Sequence, residues 1–159
     1  VTELTLFVLL LTANGSPVVL SLLVGRPLQW PIDRGLLLPD GHPLLGSSKT
    51  LPGLVVAIIA TTLCALMIGP DVWIGLAVGV FAMLGDLLSS FIKRRLGLAP
   101  GAAAVGLDQV PESVLPLLIC KPLLHLSWTQ VLLVTLAFLA SNLLMSQFLK
   151  RARSRSRAG

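Results

Sequence analysis

Long apolar runs separated by shorter polar stretches dominate the pattern of this 159-residue chain. Runs of about twenty apolar residues are long enough to cross about 30 Å of hydrocarbon as α-helices. The pattern therefore predicts an all-α, polytopic membrane protein with about five transmembrane helices. The predicted spans are residues 4–24, 54–70, 72–92, 112–125 and 127–149.

Proline and glycine residues predict where these helices are interrupted. Pro111, Pro116 and Pro122 interrupt the fourth apolar run, and the motif NGSP at residues 14–17 predicts a break in the first. Residues 1–11 contain no basic residue, so they lack the positively charged region that opens a cleavable signal peptide. We expect the first apolar run to be retained as a transmembrane helix.

The composition leaves little room for a soluble domain. Apolar residues make up 55% of the chain, charged residues only 12%, and the mean hydropathy is +0.91. We therefore interpret residues 1–150 as a single transmembrane domain and residues 151–159 as a basic tail.

The basic residues indicate the orientation. Eleven of the 12 lie in the stretches 26–53 and 93–111 and in the C-terminal tail, which all face the same side. By the positive-inside rule that side is cytoplasmic, with the N-terminus outside and the C-terminus in the cytoplasm of an inner-membrane protein. The sequence pI near 10.0 follows from this topology, so no nucleic acid partner is expected.

The polar segment GDLLSSFIKRRLG ends the third span. Asp86 lies 13 residues beyond Trp73, or about 20 Å along the helix, still within the hydrocarbon. At 100° per residue, Asp86, Ser90 and Lys93 fall within a wedge of about 60°. Arg94 lies on the flank of this stripe. The helix therefore presents a carboxylate, a hydroxyl and an ammonium group on one face.

An unpaired carboxylate at this depth costs several kcal/mol, so Asp86 must face a partner, a metal ion or a water-filled cavity. A carboxylate, a hydroxyl and an ammonium group together can hold a divalent cation and the phosphate that it neutralises. Asp108, at the mouth of the next span, would complete a two-carboxylate Mg²⁺ site if it lay opposite Asp86. A structural ion pair for Asp86 and a helix cap for Asp108 are the alternatives.

The first cytoplasmic loop contains a second candidate site. GHPLLGSSKT resembles a Walker A loop, but two serines separate Gly46 from Lys49 and no buried strand precedes it, which excludes an NTPase P-loop. The backbone amides of residues 46–48, with Lys49 and Thr50, form a candidate anion nest, and a simple turn with a snorkelling lysine is the alternative. Asn14 is a candidate donor to a substrate headgroup, or else part of a packing kink.

These motifs together resemble the CDP-archaeol synthase family of integral membrane cytidylyltransferases, which are related to CDP-diacylglycerol synthases. The resemblance rests on GDLLSSFIKRRLGLAPG, on LDQ beginning six residues after it, and on PIDRG, PDG, LLG and KT in the first loop. It implies Mg²⁺-dependent transfer of CMP from CTP to a membrane lipid phosphate, giving a CDP-activated lipid and pyrophosphate. The active site would face the cytoplasm.

The resemblance also implies residue roles. Asp86 and Asp108 would hold Mg²⁺, and Lys93 would act with them in catalysis. The substrate-binding residues that it implies are Asp33, Asp40, Lys49, Thr50 and Arg94. Asn14, from the NGSP motif, and Ser90, from the helical stripe, are further candidates for substrate binding. The run SSKTLPG departs from the family pattern because it lacks an acidic residue before the lysine and an aromatic residue and an arginine after the threonine.

Two other functions fit parts of the pattern. A small cation or proton-coupled transporter could use Asp86 as its intramembrane site, but such a path needs ionisable residues on several spans and only Asp86 lies deep. A non-catalytic lipid-binding homologue is favoured by the altered SSKTLPG run. The cytidylyltransferase is the main hypothesis, with CTP, a membrane lipid phosphate and the bilayer as its expected partners.

Overall fold

The structure, a computed structural model, describes residues 2–24, 30–102 and 104–156, with side chains described as far as Gln147 in the last helix. This part of the chain contains no β-strand, only two isolated bridges. The five helices are α1 Glu3–Val24, α2 Leu51–Ile68, α3 Val72–Arg95, α4 Gln109–Leu124 and α5 Trp128–Ser156. The all-α fold predicted from the apolar runs is confirmed.

Four of these helices are long and apolar enough to cross a membrane: α1, α2, α3 and the first 20 residues of α5. The fourth, α4, has only 16 residues and contains Pro116 and Pro122, so it is shorter than a full span. The predicted multi-pass membrane protein is confirmed. Arg26 and Arg157, which contributed to the predicted orientation, lie outside the described residues.

Capping residues determine where α2 begins and ends. The helix starts at Leu51, three residues before the predicted span, because the Oγ1 atom of Thr50 accepts a hydrogen bond of 3.3 Å from the backbone amide of Gly53. Pro52 suits the first turn, where its missing N–H would have no helical partner. The helix ends before Gly69, whose φ of 99° is the left-handed conformation typical of a C-terminal cap.

The predicted break at NGSP is wrong, because α1 continues through Pro17 to Val24. Proline removes one helical hydrogen bond, but a helix in an apolar environment must satisfy its remaining backbone groups internally. Continuing the helix meets that requirement, whereas opening it would expose further backbone groups to hydrocarbon.

Close helix packing places α3 at the centre of the bundle, between α2 and α4. A Cβ atom added to Gly75 would lie 2.4 Å from the Cβ atom of Ala65, and one added to Gly79 would lie 3.1 Å from the Cα atom of Ile58. Two glycines four residues apart on one helix face allow a neighbouring helix to pack closely against that face. Because neither glycine has a side chain, α2 and α3 approach closely along this part of α3.

The described part of the first loop folds back on itself. The amide of Ile32 donates a 2.9 Å hydrogen bond to the carbonyl of Lys49, and the amide of Leu51 donates another of 2.9 Å to Trp30. An isolated bridge between Pro31 and Thr50 lies in the same region. These contacts fix Lys49 and Thr50 at the start of α2, beside the polar end of α3.

Candidate functional site

A cavity of about 440 Å³ lies between α1, the first loop, α2 and α3. It brings together four of the predicted site residues: Asn14, Lys49, Thr50 and Asp86. Pro17, Leu20, Leu54 and Met83 contribute apolar parts of its wall. The cavity therefore has a charged end and an apolar side, and α1 forms part of that apolar side.

The charged end is an ion pair between Lys49 and Asp86. The Nζ atom of Lys49 lies 2.5 Å and 2.6 Å from the two carboxylate oxygens of Asp86, and each side chain is 20% exposed. A lysine held between both oxygens compensates the cost of placing a carboxylate at membrane depth. The lysine of the first loop is thus the partner that the sequence required for Asp86.

A second ion pair joins Lys93 to Asp108. Their Nζ and Oδ1 atoms are 2.6 Å apart, at an angle that does not make a hydrogen bond. Lys93 also donates to the carbonyl of Ala102 at 3.0 Å, and Asp108 Oδ2 accepts from the amide of Ala104 at 2.9 Å. Asp108 begins α4 without capping it through its side chain, and its role as a metal ligand stays a prediction.

Ser90 and Arg94 are buried with unused hydrogen-bonding atoms. The two residues are 1% and 2% exposed. Ser90 Oγ and the Nε and Nη1 atoms of Arg94 have no hydrogen-bond partner in the described part of the chain. A buried charge without a partner is costly, so these groups favour a polar, anionic ligand. The Arg94 side chain passes beneath Gly46, with its Cδ atom 3.6 Å from the position of an added Cβ.

Asp33 organises the turn that carries Lys49. Its carboxylate accepts hydrogen bonds from the backbone amides of Leu45 at 2.8 Å, Gly46 at 2.7 Å and Gly35 at 3.1 Å. Burial opposes the charged form, but these three amides outweigh it and hold the pKa of Asp33 below its usual value. Asp33 does not line the cavity, so the structure gives it a positioning role, and its contact with nucleotide stays a prediction.

Replacing Asp33 with asparagine is expected to loosen this turn. The amide side chain cannot accept from all three backbone donors, and leaving a buried donor unpaired costs about 1–3 kcal/mol. Hydrogen exchange at the amides of Leu45 and Gly46, measured by mass spectrometry, is expected to accelerate at least about fivefold.

Hydrogen exchange at the amides of Leu45 and Gly46 is also expected to depend on pH in the wild-type chain, and to accelerate in acid. Because the pKa of Asp33 is depressed in the folded state, its stabilisation is complete above the ordinary value of 3.8 and is lost as the pH falls through the lower folded value. Unchanged exchange in the asparagine variant would contradict the positioning role.

Asp40 ties the first loop to the end of α3. Its carboxylate pairs with Arg95 and also accepts a 3.0 Å hydrogen bond from the amide of His42. Arg95 in turn donates to the carbonyls of His42 at 3.2 Å and Pro43 at 2.6 Å. Arg95 thus holds the first loop against the end of α3. Asp40 does not line the cavity, and its predicted contact with nucleotide is untested.

The predicted anion nest is smaller than its sequence suggested. The amide of Gly46 is used by Asp33, and the amide of Lys49 donates to the carbonyl of Gly46 at 3.3 Å. Ser47, Ser48, Lys49 and Thr50 line the cavity, so the part of the nest that faces the space where a ligand would bind begins after Gly46. The Asp33 carboxylate constrains this turn through its hydrogen bonds to the amides of Leu45 and Gly46.

Asn14 belongs both to the cavity wall and to a link between helices. Its Nδ2 atom donates a 3.2 Å hydrogen bond to the Oδ1 atom of Asn142 on α5, and Asn142 donates to the carbonyl of Phe138 at 2.9 Å. The link orients the Asn14 amide in the cavity wall. Donation to a substrate headgroup stays a prediction.

Comparison with known proteins identifies the family. Residues 3–149 match the CarS-like family, described as CDP-archaeol synthase. The chain belongs to the CDP-archaeol synthase family. The resemblance inferred from its motifs is therefore confirmed, and it extends across nearly the whole chain.

Individual relatives agree with this assignment. The chain is 44% identical over 109 residues to a CDP-archaeol synthase of Hyperthermus butylicus, covering 63% of this chain and 60% of that protein. It is 42% identical over 85 residues to one of Sulfurisphaera tokodaii, covering 50% and 51%. It is 38% identical over 111 residues to one of Saccharolobus solfataricus, covering 65% and 66%. The chain thus matches between half and two thirds of the length of these curated relatives.

A solved structure shares the fold. It is that of an intramembrane enzyme for archaeal membrane lipids biosynthesis, with a TM-score of 0.76 and 31% sequence identity. The match covers 89% of this chain and 90% of that one. The five-helix arrangement is therefore shared along most of both chains.

Glu112 is a site residue that sequence reasoning missed. It is only 5% exposed in the first turn of α4, where its backbone amide lies against Gly85, the residue that precedes Asp86. A signal was present, because Glu112 follows Asp108 by four residues and therefore lies on the same side of the chain as it enters α4. An acidic residue in the first turn of a helix is usually solvated and interacts favourably with the helix dipole. Glu112 therefore looked like an ordinary helix-start residue in the sequence.

Proposed function

We propose that this protein transfers CMP from CTP to a membrane lipid phosphate, with Mg²⁺, giving a CDP-activated lipid and pyrophosphate. The observation that carries the proposal is the buried Arg94 guanidinium, whose Nε and Nη1 atoms have no partner in the described chain, close to the loop that carries Lys49. A polyphosphate would supply the missing acceptors. Membership of the CDP-archaeol synthase family supports a cytidylyltransferase over a transporter.

The basic residues would bring two polyanions together. Lys49, Lys93 and Arg94 come from the first loop and from α3, and their positive charge would reduce the repulsion between CTP and the lipid phosphate. An oxygen of the lipid phosphate would attack the α-phosphorus of CTP, the bond to the β-phosphate would break, and pyrophosphate would leave. The attacking oxygen is already anionic at neutral pH, so no covalent enzyme intermediate is required.

The carboxylates fit a magnesium ion that is completed by substrate. In the described part of the chain, no three carboxylate, imidazole or thiol side chains form an all-protein metal cage. Mg²⁺ is usually held by one or two carboxylates together with substrate phosphates, and Asp86 and Asp108 would be those carboxylates. The bound ion would stabilise negative charge on the transferring phosphate. Lys49 and Lys93 would then leave their ion pairs with Asp86 and Asp108 and bind the phosphates instead.

The lipid would enter from the α1 side. Leu20 lies in the wall of the cavity and also in a shallow apolar groove along the outer face of α1. Val8, Leu11, Val19 and Leu23 are among the residues of this groove. The groove would accommodate hydrocarbon tails while the phosphate reaches Lys49. We propose a cytoplasmic-facing site in the inner membrane, with the N-terminus outside and the C-terminus in the cytoplasm.

The lipid acceptor can be identified with purified protein in lipid nanodiscs, CTP and Mg²⁺. Phosphatidic acid and unsaturated archaetidic acid are offered separately, and CDP-lipid is detected by mass spectrometry of the organic phase. CDP-lipid from at least one acceptor is expected, and the preferred acceptor gives the tail class. Folded protein that forms neither product, or that conducts ions in liposomes without CTP, would contradict the proposal.

A further inference from the structure

Glu112 occupies an unusual position for a glutamate near the start of a helix. It is 5% exposed, and its backbone amide lies against Gly85, the residue that precedes Asp86. A Cβ atom added to Gly85 would lie 2.2 Å from the carbonyl oxygen of Pro111 and 2.7 Å from the amide nitrogen of Glu112. The backbones of α3 and α4 therefore meet next to Asp86, and this close approach places Glu112 beside that residue.

Among the charged residues around this contact, one acidic and one basic residue have no ion-pair partner in the described part of the chain. Three carboxylates and three cations lie in the region: Asp86, Asp108 and Glu112, and Lys49, Lys93 and Arg94. Lys49 pairs with Asp86 and Lys93 pairs with Asp108. In the described residues, neither Glu112 nor Arg94 forms an ion pair. Arg94 thus lacks an anion, and Glu112 lacks a cation of its own.

Two ionised carboxylates in contact repel each other unless a cation lies beside both. Lys49 pairs with Asp86, but a phosphate would attract that lysine away. The buried carboxyls of Asp86 and Glu112 can then both be ionised only beside another cation, and a divalent cation supplies the positive charge that both require. Ser90 Oγ, one turn along α3 from Asp86, is buried without a partner and adds an oxygen near the same place.

We infer that Glu112 is a ligand, together with Asp86, of the divalent cation that accompanies CTP. This inference rests on the proposed function and adds a residue to it. It explains why a glutamate is buried at the contact between α3 and α4, and why that contact is made at a glycine. A purely structural glutamate there would leave the cation dependence of nucleotide binding unchanged.

The test is equilibrium binding of radiolabelled CTP to the purified full chain, with Mg²⁺ titrated and no lipid phosphate present. For Glu112→Gln, the Mg²⁺ concentration at half-maximal CTP binding is expected to rise at least about tenfold. Glutamine is close to isosteric and can donate to Asp86, so the fold should be retained, and thermal unfolding in detergent checks this. Glu3→Gln is the matched control, because Glu3 is exposed in the first turn of α1.

Glu112→Asp keeps the charge on a shorter side chain and is expected to fall between the wild-type chain and Glu112→Gln. An unchanged Mg²⁺ midpoint in a folded Glu112→Gln variant would overturn the inference. Were that variant unfolded, a wild-type midpoint in Glu112→Asp would overturn it instead. Absence of Mg²⁺-dependent CTP binding in the wild-type chain would also overturn it, whereas the proposed function is judged separately by formation of CDP-lipid.

Discussion

Replacing Asp86 with asparagine is expected to reduce CMP transfer by on the order of a thousand-fold or more while the protein remains folded in the membrane. The substitution preserves the size of the side chain but removes the charge that binds the Nζ atom of Lys49 at 2.5 Å and 2.6 Å. The same charge would hold the divalent cation. Initial rates of CDP-lipid formation measure the loss, and thermal unfolding in detergent verifies the fold.

Asp71→Asn provides a matched control on the same helix. Asp71 caps the opposite end of α3, where its Oδ1 atom accepts a 3.0 Å hydrogen bond from the amide of Trp73. Asparagine caps helices about as well as aspartate, so the rate is expected to stay near that of the wild-type protein. Near-wild-type transfer by Asp86→Asn would remove Asp86 from the catalytic site.

Replacing Gly85 with alanine is expected to destabilise the protein by about 1–3 kcal/mol and to abolish most of its activity. The added methyl group would lie 2.2 Å and 2.5 Å from the carbonyl oxygen and carbon of Pro111. Both are backbone atoms that cannot rotate away, so α3 and α4 must separate. Separation would move Glu112 away from Asp86. Thermal unfolding and CMP transfer measure the two effects.

Gly15→Ala is the control for this change. Gly15 also lies within a helix, and a Cβ atom there would have no neighbour within 4 Å. Alanine is preferred over glycine in helices by up to about 1 kcal/mol, so stability should be unchanged or slightly higher. A Gly85→Ala variant as stable and active as Gly15→Ala would refute the close approach of the two backbones.

The helices were predictable because apolar runs in a membrane protein leave few alternatives to helix. Their ends were less predictable, because they depend on individual contacts such as the Thr50 cap, which begins α2 three residues before the predicted span. At the NGSP motif, in contrast, the sequence predicted a helix end that the structure does not have. Proline rules derived from soluble helices predicted a break, but the apolar surroundings keep α1 continuous through Pro17.

The site was predictable where it depends on one helix. The stripe of Asp86, Ser90 and Lys93 follows from helical spacing alone, and Ser90 and Lys93 are indeed both buried. Pairings between segments were not predictable from spacing. Lys49 reaches Asp86 from 37 residues away, and Asp40 reaches Arg95 from 55. Glu112 was overlooked because its burial results from the packing of α4 on α3.

The central claim is that this chain transfers CMP from CTP to a lipid phosphate. The most direct measurement supplies purified protein, Mg²⁺ and the lipid acceptor with CTP labelled at either the α- or the γ-phosphate. The α-label is expected to enter the organic phase, and the γ-label to stay in the aqueous phase as an equal amount of pyrophosphate. Folded protein that leaves the α-label in the aqueous phase, or that moves the γ-label into the lipid, would contradict the claim.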